Sequence, residues 1–204
     1  MGGPWQVAEL LAVLFGFAYV WLAIREDARC WPVGIVNVAI YFFVFFHARL
    51  YATAVLQAVY VALSVYGWRQ WLRGGESGGR LAVSSTPRQW GAGLAAAGVV
   101  ASLGLGLFLR YRTDAALPFP DAATTAFSLV AQWMTTRKWL ESWLVWIAVD
   151  VVYLGVYSSQ GLYLSTGLYA MFLVMAALGY RRWRASMTRP RPQGPEAARE
   201  RATA

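Results

Sequence analysis

The residues with most chemistry to offer share one apolar stretch, Glu141 to Ser158, with a carboxylate, Asp150, near its middle and Trp143 and Trp146 before it. An ionisable group at bilayer depth costs roughly 2.5 to 3.5 kcal/mol on insertion scales, so its default reading is functional. Positions 143, 146, 150, 153 and 157 advance by three or four, which on a helix gathers Trp143, Trp146, Asp150, Tyr153 and Tyr157 into one sector. Such a stripe can stack on an aromatic or cationic ligand and supply its counter-charge. Gln57, Gln132 and Asn37, with Tyr60 and Ser128, add groups that hydrogen-bond sugars or amides. Structural roles stand beside these. Trp143, at the edge of its stretch, suits an interfacial anchor. Asp150 suits a partner for Gln or Tyr on a neighbouring helix, and the two glutamines suit interhelical contacts.

Catalytic patterns are missing. The chain has no G-x-S-x-G elbow, no H-E-x-x-H helix and no Gly-rich phosphate loop ending in Lys-Ser or Lys-Thr. A single histidine and a single cysteine do not build a metal site of the usual kind. The expectation is a non-enzyme without cofactor or metal.

The elements that must position these residues follow from composition. Of the 204 residues 58% are hydrophobic and 14% charged, against about 25% charged in soluble domains. The fold class expected is therefore an all-α integral membrane protein. Seven spans are read at 6–24, 31–46, 51–68, 90–109, 122–136, 142–158 and 162–180, several of them short for a bilayer of about 30 Å. The amino end, MGGPWQVAEL, lacks a basic region and a cleavage site, so the first span is expected to be retained. The long hydrophilic linker, Arg73 to Gln89, is rich in Gly, Ser and Arg and is expected to be flexible. The tail, 184–204, is expected to be disordered and cytoplasmic.

Among the 18 Lys and Arg residues, Arg49, Arg110 and Arg112 fall on the side of the amino terminus and all others on the opposite side. The positive-inside rule then places the amino end outside and the carboxyl end in the cytoplasm. The net charge of +8 reflects this bias, and nucleic acid is not expected as a partner.

An internal repeat organises the spans. Sliding the chain along itself until Trp31 falls on Trp143 also aligns, without a gap, Tyr41 with Tyr153, Leu50 with Leu162, Tyr51 with Tyr163, Gly67 with Gly179, Arg69 with Arg181 and Trp71 with Trp183. The same offset pairs Phe15 with Phe127, Trp21 with Trp133 and Arg25 with Arg137. Three spans leave the chain on the wrong side to start an identical unit, so a fourth must invert it. The expected organisation is a three-helix repeat over 1–72, linker and inversion helix over 73–110, and a second repeat over 111–183. That makes two parallel repeats, 3+1+3, a transporter arrangement with the ligand near the midplane. Gly91 to Gly106 suits the inversion helix, its small residues allowing close approach.

Repeats that share a scaffold should differ where ligand is held. Trp146 and Asp150 stand where the first repeat has Gly34 and Val38, and Ser128 and Gln132 where it has Gly16 and Val20. In the third span Thr53, Gln57, Tyr60 and Ser64 form a polar face opposite Ser165, Tyr169, Phe172 and Ala176 of the seventh. The expected site is a cavity between spans 3, 5 and 6 with Asn37 of span 2, while Tyr153, shared with Tyr41, reads as scaffold. His47 reads as an exposed interfacial residue, and Glu9 as a solvated residue near the outer end with a role at the mouth left open.

The segments WPVGIVNVAIYFF, LYATAVLQAVYVALSVYGWRQW and ESWLVWIAVDVVYLGVYSSQGLYLSTGLYAMFLVMAALGYRRW resemble the Pnu family of bacterial vitamin transporters, from about Trp5 to Trp183. The most specific element is Trp-x-x-Trp-x-x-x-Asn/Asp, met by Trp143, Trp146 and Asp150. The resemblance implies a SWEET-like bundle, a homotrimer in the bacterial inner membrane, and facilitated diffusion made one-way by a separate cytoplasmic kinase. It implies import of nicotinamide riboside, with thiamine or another vitamin or nucleoside as alternative, because Asp150 stands where nicotinamide riboside carriers are expected to have Asn. A non-transporting scaffold or receptor is the alternative from another class.

Overall fold

A computed structural model describes residues 4–47, 51–75, 78–114 and 116–188, leaving aside the side chains of 4–6, 8–9 and 51–54. The side chains of Glu9 and Thr53, Arg49, and the tail beyond Thr188 lie outside the described residues. The elements are α1 (Pro4–Ile24), α2 (Cys30–His47), α3 (Tyr51–Arg73), α4 (Arg88–Arg112), α5 (Pro118–Thr136), α6 (Ser142–Ser159) and α7 (Tyr163–Met187). Four of them, Cys30–His47, Arg88–Arg112, Ser142–Ser159 and Tyr163–Met187, are long and apolar enough to cross a membrane. The helices outrun the expected spans. Those at 51–68 and 162–180 continue to Arg73 and Met187, since polar side chains at a helix end do not interrupt its backbone bonding.

The ends of α1 and α5 are built alike. Asp27 N–H donates to Leu22 O at 3.0 Å and Glu26 N–H to Ala23 O at 2.9 Å; Trp139 N–H donates to Met134 O at 3.2 Å and Lys138 N–H to Thr135 O at 3.0 Å. These are paired bonds of a Schellman stop, with Glu26 (φ 58°) and Lys138 (φ 53°) in the left-handed position glycine usually takes. Lys138 reaches Glu26 across the bundle at 3.5 Å. Just beyond, Arg29 bonds the Asp27 carboxylate at 2.6 Å and holds that carboxyl below the ordinary carboxylate range.

Contacts in the first half recur at the repeat-related positions of the second. Trp31 meets Trp71 edge-on with centroids 5.4 Å apart, and Trp143 meets Trp183 edge-on at 5.3 Å. The ring of Trp31 covers Gly67 and that of Trp143 covers Gly179, where side chains would collide. Arg25 lies over Trp21 at 5.5 Å, and Arg137 over Trp133 at 5.2 Å. Trp71 Nε1–H donates to Thr135 O at 3.0 Å while Trp183 Nε1–H donates to Ala23 O at 3.0 Å. Trp71 and Trp183 touch each other at 5.8 Å, so four indoles form a chain through the buried core at this end, with Cys30, Leu140 and Val83 around them.

The linker before α4 differs from expectation. Ser84 N–H donates to Lys138 O at 3.1 Å and Ser84 O accepts from Leu140 N–H at 2.9 Å, a single β-bridge against the α5–α6 turn. Thr86 donates both its N–H and its Oγ1–H to Glu141 Oε2 at 2.7 Å, and Lys138 Nζ donates to Leu81 O at 3.0 Å. Val83 is buried beneath. The segment is a strap, because partners far along the chain satisfy a backbone whose own composition favours no structure.

Helix α4 packs chiefly on α5. Gly98 and Gly106 receive the rings of Phe127 and Phe119, 2.8 and 2.6 Å from where a Cβ would stand, which gives its small residues a packing reason. Helices α1 to α3 pack in succession, as do α5 to α7, and the halves meet through α1 with α7 and α3 with α5.

Candidate functional site

Two joined cavities lie between the halves. The inner one, about 300 Å³, falls at the lower end of ligand pockets, and Trp143, Trp146, Asp150, Gln132, Asn37, Tyr60 and Ser128 all line it. The outer one, about 730 Å³, reaches toward the start of α5 and the ends of α2, α4 and α6, at Asp121, Phe45, Leu109 and Tyr157; Gln57 lines it, with Asn37, Tyr60 and Ser128 shared between the two. The eight residues singled out by sequence are thus gathered around one continuous space.

The inner walls are pairs of repeat-related positions with unlike chemistry. Gly16 faces the space with Ser128, Val20 with Gln132, Ala23 with Thr135, Asn37 with Val149, and Tyr60 with Phe172. Helix α5 therefore offers oxygen and amide groups where α1 offers hydrocarbon. The Tyr19 ring lies across Gly34, and at the corresponding places of the second half stand Ala131 and Trp146. One bulky ring is thus carried by α1 in the first half and by α6 in the second.

Individual contacts divide the roles. Asp150 is 5% exposed, faces the inner cavity, and has no hydrogen bond or ion pair among the described residues. Trp146 Nε1–H donates to Thr135 Oγ1 at 3.3 Å, whose own hydroxyl donates to Ala131 O at 2.8 Å, so its ring is held facing the space. Gln132 Oε1 accepts from Tyr19 O–H at 3.3 Å, which leaves the amide NH₂ available. Asn37 donates its amide to Ala12 O and keeps its carbonyl oxygen free to accept. Trp143 is 4% exposed and its Nε1–H has no partner among the described residues; wedged between Gly179 and Trp183, it is the cavity floor as much as a wall. Among the described residues no lysine or arginine lines either cavity. Among them, too, no group of three His, Cys, Asp or Glu could hold a metal ion.

The enclosure extends beyond helices 3, 5 and 6. Tyr19 from α1 and Tyr169 and Phe172 from α7 also line the inner cavity. Tyr153, read as scaffold, lines both cavities and packs on Tyr169 at 4.4 Å. The seventh span already showed Tyr169, Phe172 and Ala176 on one face, but apolar rings on a membrane helix look the same whether they meet ligand, lipid or core. His47 is exposed.

Comparison with known proteins adds an independent line. A family profile described as nicotinamide mononucleotide transporter matches residues 6–185. The nicotinamide riboside transporter PnuC of Escherichia coli K12 is 27% identical over 200 residues, covering 86% of this chain and 84% of that protein. The riboflavin/roseoflavin transporter RibM of Streptomyces davaonensis is 29% identical over 179 residues, with 86% and 84% covered. The crystal structure of the vitamin B3 transporter PnuC shares the fold, with a TM-score of 0.65 at 24% identity over 86% of this chain and 79% of that one.

Proposed function

Because the chain belongs to the nicotinamide mononucleotide transporter family, a family of multi-pass membrane proteins, we propose that it imports nicotinamide riboside by facilitated diffusion. One observation carries the choice of ligand. Asp150 is buried, faces the cavity and has no cationic partner among the described residues, beside the ring of Trp146. An ionised carboxylate there is stabilised by a cation from outside the protein, and a positively charged aromatic ring satisfies Asp150 and Trp146 together. The ribose would meet the free NH₂ of Gln132, the carbonyl oxygen of Asn37 and the hydroxyls of Tyr60 and Ser128.

The same charges speak against the mononucleotide of the family's description. A phosphate would find no lysine or arginine among the described residues of either cavity wall and would face the carboxylates of Asp121 and Asp150. Thiamine, also an aromatic cation, is the alternative that charge alone does not exclude.

The mechanism is rocking of two parallel three-helix repeats about this cavity, with α4 as inverter. The contacts that recur between repeat-related positions, above all the reciprocal Trp71 to Thr135 and Trp183 to Ala23 bonds, support that reading. The amino end lies outside and the basic end in the cytoplasm, so this conformation faces outward. Its cytoplasmic side is closed by Trp31, Trp71, Trp183 and Trp143. The trimer, the inner membrane and trapping by a separate kinase come from the family resemblance.

Purified protein in liposomes should equilibrate labelled nicotinamide riboside without ATP or an ion gradient, and should leave the mononucleotide outside. Flux of thiamine in its place would reassign the substrate. Absence of flux for every vitamin would leave a scaffold or receptor.

A further inference from the structure

We infer that the outer cavity is a second binding station for the transported cation, with Asp121 supplying the charge and Tyr157 the first stacking ring. This rests on the reading of the substrate as an aromatic cation and adds where it is first captured.

Among the described residues Asp121 is the only charged one lining the 730 Å³ cavity. It is exposed, and its carboxylate has no hydrogen bond or ion pair among the described residues. It stands in the first turn of α5, where an acidic residue favours the helix by itself. Its surroundings go further than that role requires. Asp121, Tyr153 and Tyr157 together line both the large outer cavity and an adjoining one of about 250 Å³.

The rings continue inward. Tyr157 stacks on Tyr153 at 5.6 Å and 12°, and on Tyr169 at 5.2 Å and 28°. Tyr153 and Tyr169 then line the inner cavity, where the buried carboxylate of Asp150, without an ion pair among the described residues, waits. A carboxylate at the mouth, a run of aromatic faces and a second carboxylate inside let a cation exchange water for protein in stages. On the opposite wall Tyr41 stacks on Phe45 at 5.6 Å and 13°, the repeat-related positions of Tyr153 and Tyr157. The sequence position related to Asp121 is also acidic, Glu9. Acidic residues at a mouth raise the local concentration of cations and their on-rate, by an amount that falls as salt rises.

The test is initial-rate uptake of nicotinamide riboside into liposomes at low and high NaCl, for wild type, Asp121→Asn, Asp121→Glu and Tyr157→Leu, with equilibrium binding measured beside it. Asp121→Asn should raise KM about 5- to 30-fold at low salt, flatten its salt dependence and change the saturated rate far less. Asp121→Glu should restore most of the wild-type KM, and Tyr157→Leu should raise KM while keeping the salt dependence. Wild-type flux with an unchanged KM and salt slope in Asp121→Asn would overturn the outer station while leaving the transport reading intact. Lack of wild-type flux for any aromatic cation would overturn both.

Discussion

Trp183 donates its indole N–H to the backbone oxygen of Ala23 at 3.0 Å, joining the last helix to the end of the first. The relationship is returned in the other half by Trp71, the counterpart of Trp183, which donates at the same distance to the oxygen of Thr135, the counterpart of Ala23. Both carbonyls lie in the last turn of a helix, where each also accepts the N–H of the capping residue, Glu26 or Lys138, and both residues line the inner cavity. The bonds therefore close the floor of the inner cavity and tie the two halves together there.

Trp71→Phe and Trp183→Phe keep an aromatic ring and remove the donor. Each should weaken closure by about 1 kcal/mol or more, roughly a fivefold change in the opening equilibrium. Cys30, the sole cysteine and 0% exposed beside these indoles, reports it. Maleimide labelling of the detergent-solubilised protein should quicken about fivefold in each variant and further in the double variant. Unchanged labelling would show that the indoles do not seal this end.

Asp150→Asn separates charge from hydrogen bonding. If the carboxylate pairs with a cation, loss of a charge-assisted contact worth about 1.5 to 3 kcal/mol weakens nicotinamide riboside binding roughly 10- to 150-fold. Near-normal affinity, read by isothermal titration, would mean that Asp150 serves as a hydrogen-bond acceptor. Trp146→Ala should weaken binding in the same assay without changing thermal stability much, because its ring borders open space.

These two sets of residues were not equally legible in the sequence. Trp31, Trp71, Trp143 and Trp183 announced themselves by recurring at one fixed offset, and Asp150 by the cost of a carboxylate in an apolar stretch. Tyr19 and Tyr169 gave no such signal. An aromatic ring on a membrane helix carries no mark of whether it faces lipid, core or cavity, and Tyr19 matters through its approach to Gly34 on another helix. The strap from Leu81 to Thr86 was hidden for a related reason. The Gly, Ser and Arg composition of the whole linker, Arg73 to Gln89, speaks for local flexibility, while the order of the strap comes from Lys138, Leu140 and Glu141, far along the chain.

Gly179→Ala tests the close packing under the site. A Cβ at Gly179 would stand 2.7 Å from ring atoms of Trp143, which is itself held against Trp183. Forcing the ring aside should lower stability by about 1 to 3 kcal/mol and displace the cavity floor. Gly155→Ala, with nothing within 4 Å of the new methyl, should be neutral or slightly stabilising in the same thermal unfolding series.

Lys138 gives a pH prediction outside the membrane-spanning helices. Its ammonium is buried against the ring of Trp71 at 4.5 Å, and burial lowers its pKa below the ordinary lysine value, opposed by Glu26. At low pH the lysine is charged in both states and the folded protein bears the desolvation cost. As pH rises through the folded value toward the ordinary one near 10.4, the unfolded chain binds more protons, so stability rises. Wild type should therefore gain in Tm relative to Lys138→Met between neutral pH and about pH 10. A difference that shrinks with pH would mean that the pairing with Glu26 outweighs the burial.

Glu141 decides whether the strap is held by one side chain or by its backbone bridge. Its Oε2 accepts from both the N–H and the hydroxyl of Thr86 at 2.7 Å, two bonds to a charged acceptor worth about 1.5 to 3 kcal/mol each. Glu141→Ala removes both, whereas Glu141→Gln keeps an acceptor without the charge. Limited trypsin digestion at the exposed Arg80 and Arg88 reads the outcome, because cleavage needs the segment to lift from the α5–α6 turn. Cleavage should speed up at least tenfold in Glu141→Ala and less in Glu141→Gln, with helix content unchanged. Equal rates in all three proteins would assign the anchoring to Ser84 and its bonds with Lys138 and Leu140. In that case the linker is fastened by the same turn that carries Lys138 to Glu26, and motion of that turn would release it without any change at Glu141.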